Sequence, residues 1–345
     1  MRQAVVGASD RRSWAAAMLA ALLALTPVGA AASHDDDDAD AEAARAVTHF
    51  RQHGWQRPIF ETHIHLYQVT RPGGVPWPPQ EATLLYRDIL PAEYKSIAMQ
   101  NSIVAAGVVE ASPLVEDNQW VLDLIRGDNF FRFFVGSLEI GASDFSANLR
   151  RFAQDRRFVG IRGFLWSPAA ITLDAAQRSS LEDLSRHGMT LDIISRGTTN
   201  PKPTVEALCT AFPKLRIIIN HLGGAQGATP TPEWELSIRR LADLCPNLNM
   251  KFSSFYDMYQ VGDGNSPWVA PVDLAAYKAH FDVFMTAFGP DRLIFGSNWP
   301  VSNLGGSFSQ QIAIAEQYLA PFGQEVRDKV MFRNAMKFYR RVPPR

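Results

Sequence analysis

From residue 58 onward, apolar runs of strand length alternate with segments whose apolar residues recur at helical spacing. Eight β-rich runs stand out: Ile59 to Tyr67, Ile103 to Ala111, Phe130 to Ile140, Phe158 to Trp166, Met189 to Ser195, Leu215 to His221, Leu248 to Phe255 and Arg292 to Ser297. Helical spacing follows each of them, at Ala92 to Gln100, Glu116 to Arg126, Phe145 to Asp155, Ala175 to His187, Thr204 to Phe212, Glu233 to Leu244, Leu274 to Phe288 and Phe308 to Leu319. A ninth helical segment, Glu325 to Tyr339, closes the chain. The strand runs are nearly continuously apolar, as strands of a parallel sheet covered by helices on the outside must be. The pattern predicts an α/β fold, a (β/α)8 TIM barrel with an extra C-terminal helix. An open doubly wound sheet would place a glycine-rich phosphate turn after its first strand. Here that strand leads through His63-Ile64-His65 into a proline-rich loop, Arg71 to Pro79.

The first residues break this pattern. Arg11-Arg12 precede an apolar run from Trp14 to Leu25 and then small residues through Ala32, which predicts an export signal over residues 1–32, cleaved after Ala30 or Ala32. The apolar run is too short to span a bilayer, so the mature chain is expected to have no membrane span and to be periplasmic or secreted. The arginine pair followed by Ser13-Trp14 loosely resembles a twin-arginine signal, with Asp10 standing where Ser or Thr is usual; an ordinary Sec signal is the alternative. The acidic run His34 to Asp40 is expected to stay solvated, as part of a linker and N-terminal segment over residues 33–56, with the folded part beginning near Ala44 and the barrel spanning 57–345.

Composition narrows the function. The 345 residues are 46% hydrophobic with a net charge of -1, enough for a large core and too little basic excess for a nucleic-acid surface. A small-molecule substrate is favoured, and a homo-oligomer is compatible with the sequence. The two cysteines, Cys209 and Cys245, are too few for a zinc–cysteine site; they form one disulfide or lie buried as small hydrophobes.

Candidate chemistry collects at strand ends. His63 and His65 are two apart on a strand and share a face; His221 ends the sixth run before Leu222-Gly223-Gly224, and Asn298 follows the eighth within Phe295-Gly296-Ser297-Asn298-Trp299-Pro300. Barrel active sites lie at the C-terminal strand ends, so His63, His65 and His221 are expected to converge on one point. Arg162, within an apolar strand, and Arg196, at the end of the fifth run, suggest a bound anion such as a substrate carboxylate, or an ion pair with Asp192 or Glu110. Trp77, Trp166 and Trp299 are placed to surround the mouth, where they would stack on a ring-shaped substrate, Trp299 foremost, or serve to pack the long loops.

These strings together resemble the amidohydrolase superfamily, within it the amidohydrolase-related group that includes sugar-lactone hydrolases, the pyrone-dicarboxylate lactonase and aromatic-acid decarboxylases. The resemblance runs from about Arg57 to the segment Asn334 to Tyr339. It implies a hydrolase that opens a lactone by water attack, with His221 and Asn298 catalytic and one divalent metal, zinc foremost, on His63, His65 and His221. Three departures qualify this. The fourth strand, Phe158 to Phe164, has no lysine to bridge two metals; the fifth offers no histidine; and Asn298 stands where aspartate is common, an amide that can orient water but cannot act as a base. Glu110 and Asp257 are the carboxylates placed to replace it. A metal-free site, in which histidines and arginines polarise the carbonyl, is the second reading. Decarboxylation of an unsaturated or aromatic acid, and a non-catalytic ligand-binding barrel, remain as alternative functions.

Overall fold

The computed structural model describes residues 36–163, 172–194, 202–262 and 264–341. The export signal, Trp166 and Arg196 lie outside the described residues.

Eight strands form one parallel sheet in sequence order: β1 (Ile59–Ile64), β2 (Ile103–Val109), β3 (Phe131–Gly136), β4 (Phe158–Gly163), β5 (Thr190–Ile193), β6 (Arg216–Ile219), β7 (Leu248–Ser253) and β8 (Leu293–Gly296). All eight strand runs and their helices occur where the apolar pattern places them. β1, β2, β3 and β8 end where a polar residue follows, at His65, Glu110, Ser137 and Ser297, and so stop short of the ends of their runs. Around them lie α2 (Pro91–Gln100), α3 (Val115–Leu124), α4 (Phe145–Phe152), α5 (Ala175–Arg186), α6 (Lys202–Ala211), α7 (Pro232–Leu244), α8 (Lys278–Phe288) and α9 (Phe308–Leu319). The closing segment comprises α10 (Gly323–Asp328), a π turn (Lys329–Arg333) and α11 (Asn334–Phe338). Among the described residues no helix is long and apolar enough to cross a membrane.

The N-terminal segment departs from expectation. A helix, α1 (Asp36–Gln52), precedes the barrel, and the folded part starts well before Ala44. Ala39, Ala43, Ala46, Val47 and Phe50 are buried at helical spacing, and Phe50 meets the ring of Phe332. Asp38 and Asp40 of the acidic run lie in the first turns of this helix, where carboxylates suit the dipole, and Asp40 is held by Arg333. At its other end Arg51 pairs with Asp328 at 2.6 Å. Cys209 and Cys245 are disulfide-bonded, tying α6 to the C-terminal end of α7.

The seam between β8 and β1 closes the barrel. One parallel bridge joins Ile64 to Trp299, flanked by His65 N donating to the Trp299 carbonyl and Asn298 N to the His63 carbonyl, each at 2.9 Å. Below it, the fully buried Glu61 uses one oxygen to accept from His63 N at 2.7 Å and Ser297 N at 2.8 Å. Thr62 donates its hydroxyl to the Phe295 carbonyl at 2.5 Å. These side chains staple β1 to β8 where a regular ladder is lacking. At the opposite pole Tyr339, just past α11, stacks on Phe133 with ring centroids 4.0 Å apart and reaches into the barrel.

Burial pushes the Glu61 carboxyl up to about 7, against the opposing pull of its two backbone donors and Lys251. A carboxyl raised on folding contributes stability that is complete below its unfolded value of 4.5 and is lost as pH rises through about 7. Urea unfolding at pH 5 and pH 8 should therefore show the wild type losing about 2–3 kcal/mol more than Glu61→Gln over that interval. Equal losses in the two proteins would refute this account of the seam.

Candidate active site

Polar side chains on or just beyond β1, β2, β4, β5, β6, β7 and β8 meet inside the barrel and at its C-terminal mouth. β1 supplies His63 and, just beyond its end, His65; both are buried, with ring centroids 5.0 Å apart. His221, following β6, brings its ring to 4.5 Å from that of His63. The three histidines therefore do gather at one place. Asn298, after β8, is buried beside them with its Oδ1 3.1 Å from His65 Nε2.

Backbone conformation aims these groups. His221, Ser254 and Asn298 have φ of 55°, 58° and 64°, the left-handed region that side chains with a Cβ rarely occupy. Three adjacent strands thus turn sharply at their ends, a local strain that accompanies placement of a polar group over the barrel axis. Hydrogen bonds hold the turned residues: the Asn298 amide donates to Ser254 Oγ at 2.9 Å, and His221 N donates to Ser253 Oγ at 3.2 Å. His221 Nδ1 also lies 3.1 Å from Ser253 Oγ.

Proton positions follow from the partners. His65 Nδ1 lies 3.0 Å from the Val109 carbonyl, which can only accept, so Nδ1 carries the hydrogen and Nε2 keeps a lone pair, 3.1 Å from Asn298 Oδ1, which likewise only accepts. Burial, with the Arg162 charge second, pushes His65 down to about 3, and the ring is neutral at ordinary pH. His63 is likewise driven well below the usual histidine range, by burial first and by Lys251 second.

Lys251 is the residue that sequence reasoning missed. It is fully buried on β7, with Nζ 2.9 Å from Asp192 Oδ2 on β5 and 3.3 Å from His63 Nδ1. Burial lowers its affinity for a proton while Asp192 raises it. The signal was present as one lysine inside the apolar run Leu248 to Phe255. Asp192 also accepts the Tyr339 hydroxyl at 2.8 Å.

The other predicted residues divide. Arg162 on β4 is buried, and its Nε donates to Glu110 Oε1 at 2.6 Å while a terminal nitrogen donates to the Glu110 carbonyl at 2.9 Å. Glu110 is thus an anion beside it, held in an ion pair. Asp192 stands opposite Arg162 in the β4–β5 register but pairs with Lys251. Trp299 takes the packing role and not the substrate contact: it is fully buried with its ring 5.1 Å from Tyr94 of α2, between sheet and helix, while its backbone carbonyl accepts from His65 N. A large indole following a buried strand finds more apolar contact behind the sheet than in the polar mouth. Trp77 does reach the mouth, its ring 5.7 Å from that of His65. Asp257 lies in the short 3-10 turn Phe255–Tyr259 after β7.

Whether these groups suit a metal depends on lone pairs. His65 Nε2 and Asn298 Oδ1 lie close enough to share an ion, and His221 is adjacent. His63 is the obstacle: an ammonium can only donate, so Lys251 occupies the Nδ1 lone pair and leaves the hydrogen on Nε2. Among the described residues no group of three histidine, cysteine or acidic side chains is arranged to hold a metal ion. The residues present do not fit a three-imidazole metal site.

Comparison with known proteins follows the same lines. A family model described as Amidohydrolase matches residues 60–341. An L-fucono-1,5-lactonase of Burkholderia ambifaria is 29% identical over 81% of this chain and 94% of its own length. A second L-fucono-1,5-lactonase, from Burkholderia multivorans, is 23% identical over 75% of this chain and 87% of its own. Among solved structures, a Burkholderia multivorans amidohydrolase with bound zinc superposes with a TM-score of 0.70 at 22% identity, covering 83% of this chain and 100% of that one, a likeness of fold. The barrel, the histidines at its strand ends and the family model agree: the chain belongs to the amidohydrolase family.

Proposed function

We propose that this protein is an exported hydrolase that opens a small polyhydroxylated lactone by attack of water on the ring carbonyl. The observation that carries the reading is the gathering of His63, His65, His221 and Asn298 at the strand ends, three imidazoles and one amide around a single point. The two relatives named L-fucono-1,5-lactonase support a sugar lactone as the substrate class.

In this reading His221 is the base. With Nδ1–H donated to Ser253 Oγ, Nε2 keeps a lone pair to take a proton from water. The hydroxide formed adds to the carbonyl carbon; the ring C–O bond then breaks, and the proton passes from His221 to the departing oxygen. Asn298 orients the water and donates an amide hydrogen that an aspartate would lack. Arg162, held by Glu110, contributes positive potential at the carbonyl. Arg196 is retained as a candidate for contacting the substrate, and Trp77 forms a wall of the mouth.

A second reading places one zinc ion on His63, His65 and His221, and the zinc-bearing Burkholderia multivorans structure favours it. The two readings separate by experiment. Under the first, sugar lactones are hydrolysed to their acids without release of CO₂, and exhaustive chelation leaves kcat within about twofold. Loss of activity that zinc alone restores would reverse the choice, and CO₂ release would indicate a decarboxylase.

Replacing His221 by alanine should lower kcat by about 100-fold or more, in the range of lost general-base catalysis. Asn298→Asp should lose at least about tenfold while metal content stays unchanged, because a carboxylate cannot donate to Ser254 Oγ as the amide does. An Asn298→Asp enzyme of undiminished activity would overturn the donor role. Mass spectrometry of the exported protein should find a mature N-terminus after Ala30 or Ala32; retention of Met1 would contradict export.

A further inference from the structure

We propose that Lys251 is a positioning residue that fixes His63 as an Nε2–H donor, so that His63 offers a hydrogen bond to the substrate carbonyl oxygen. An ammonium has three hydrogens and no lone pair. Around Lys251 Nζ stand three acceptors: Asp192 Oδ2 at 2.9 Å, the Thr62 carbonyl at 3.3 Å and His63 Nδ1 at 3.3 Å. The third is an acceptor only if Nδ1 is unprotonated, and a neutral imidazole then carries its single hydrogen on Nε2.

A second observation agrees. His63 Nε2 is buried and, among the described residues, has no hydrogen-bond partner, although its ring lies among those of His65 and His221. An unpaired buried donor is costly in a folded protein unless a ligand completes it. A carbonyl oxygen gaining negative charge as water adds is such an acceptor.

The support for Lys251 extends through the barrel. Asp192 is fully buried, and its Oδ2 takes hydrogen bonds from both Lys251 and the Tyr339 hydroxyl. Lys251 Nζ also lies 5.1 Å from the Tyr339 ring centroid, within reach of a cation–π contact. The relay Tyr339, Asp192, Lys251, His63 thus runs from the closing helix to the mouth. The tautomer is independent of the substrate; only the identity of the acceptor rests on the lactone reading.

The test is nitrogen NMR of the full chain labelled at its eight histidines, with His63→Gln to assign the signals. Long-range proton–nitrogen correlations should show His63 protonated at Nε2 and unprotonated at Nδ1. An Nδ1–H tautomer would overturn the proposal, and this wild-type measurement decides it even where a variant fails to fold. Lys251→Met should yield a mixture of His63 tautomers and lower kcat on the active sugar lactone at least tenfold with KM changed less than threefold. Lys251→Arg, which keeps a donor, should recover the Nε2–H form. A His63 tautomer unchanged in Lys251→Met would refute the positioning role. Absence of lactone hydrolysis with the Nε2–H tautomer intact would instead defeat the functional reading and leave the positioning proposal standing.

Discussion

The buried ion pair of Lys251 and Asp192 is the constraint from which much of the interior follows. Both side chains are fully inaccessible, and neither charge would persist there alone, because an ion moved from water into a protein interior costs several kcal/mol. The pair requires β5 and β7 to keep their register across β6, and it requires Tyr339 to return from the closing helix to the Asp192 carboxylate. Removing one partner would leave the other charge uncompensated, an effect on the order of 3–5 kcal/mol. The same ammonium faces His63, so a structural requirement of the barrel reaches the ring most central to the site.

Above the pair, the site is built by bending strands out of regular conformation. His221, Ser254 and Asn298 adopt left-handed backbone angles, each costing on the order of 1 kcal/mol. The hydrogen bonds from Asn298 to Ser254 and from His221 to Ser253 offset part of that cost. Glu61 works from below, gathering the backbone of both strands at the seam. The result is a rigid floor on which neutral imidazoles stay in place because burial and two nearby cations disfavour their protonation.

How much of this the sequence disclosed depends on the residue. The eight strands were legible because a doubly buried parallel strand leaves a long apolar run, and His63, His65, His221 and Asn298 were legible because they end such runs. The first helix was not: its acidic start reads as a solvated run, and its dependence on Arg333 and Asp328 is a contact across most of the chain. Lys251 was hidden for a related reason, since a lysine in an apolar strand discloses nothing of the aspartate two strands away. Trp299 misled because strand-end position does not determine which side of the sheet a side chain takes once the backbone has turned. The ion pair of Arg162 with Glu110 was one of two alternatives, and only the folded arrangement of β2 beside β4 across β3 selects it.

In the mechanism proposed above, the imidazole cluster grips a carbonyl oxygen directly, through a hydrogen on His63. A crystal structure with a lactam analogue of the favoured sugar lactone, which resists hydrolysis, tests it most directly. The lactam oxygen should lie within hydrogen-bonding distance of His63 Nε2, with a water near both His221 and Asn298. A metal ion between the three histidines and that oxygen, or a ligand bound away from His63, would contradict it.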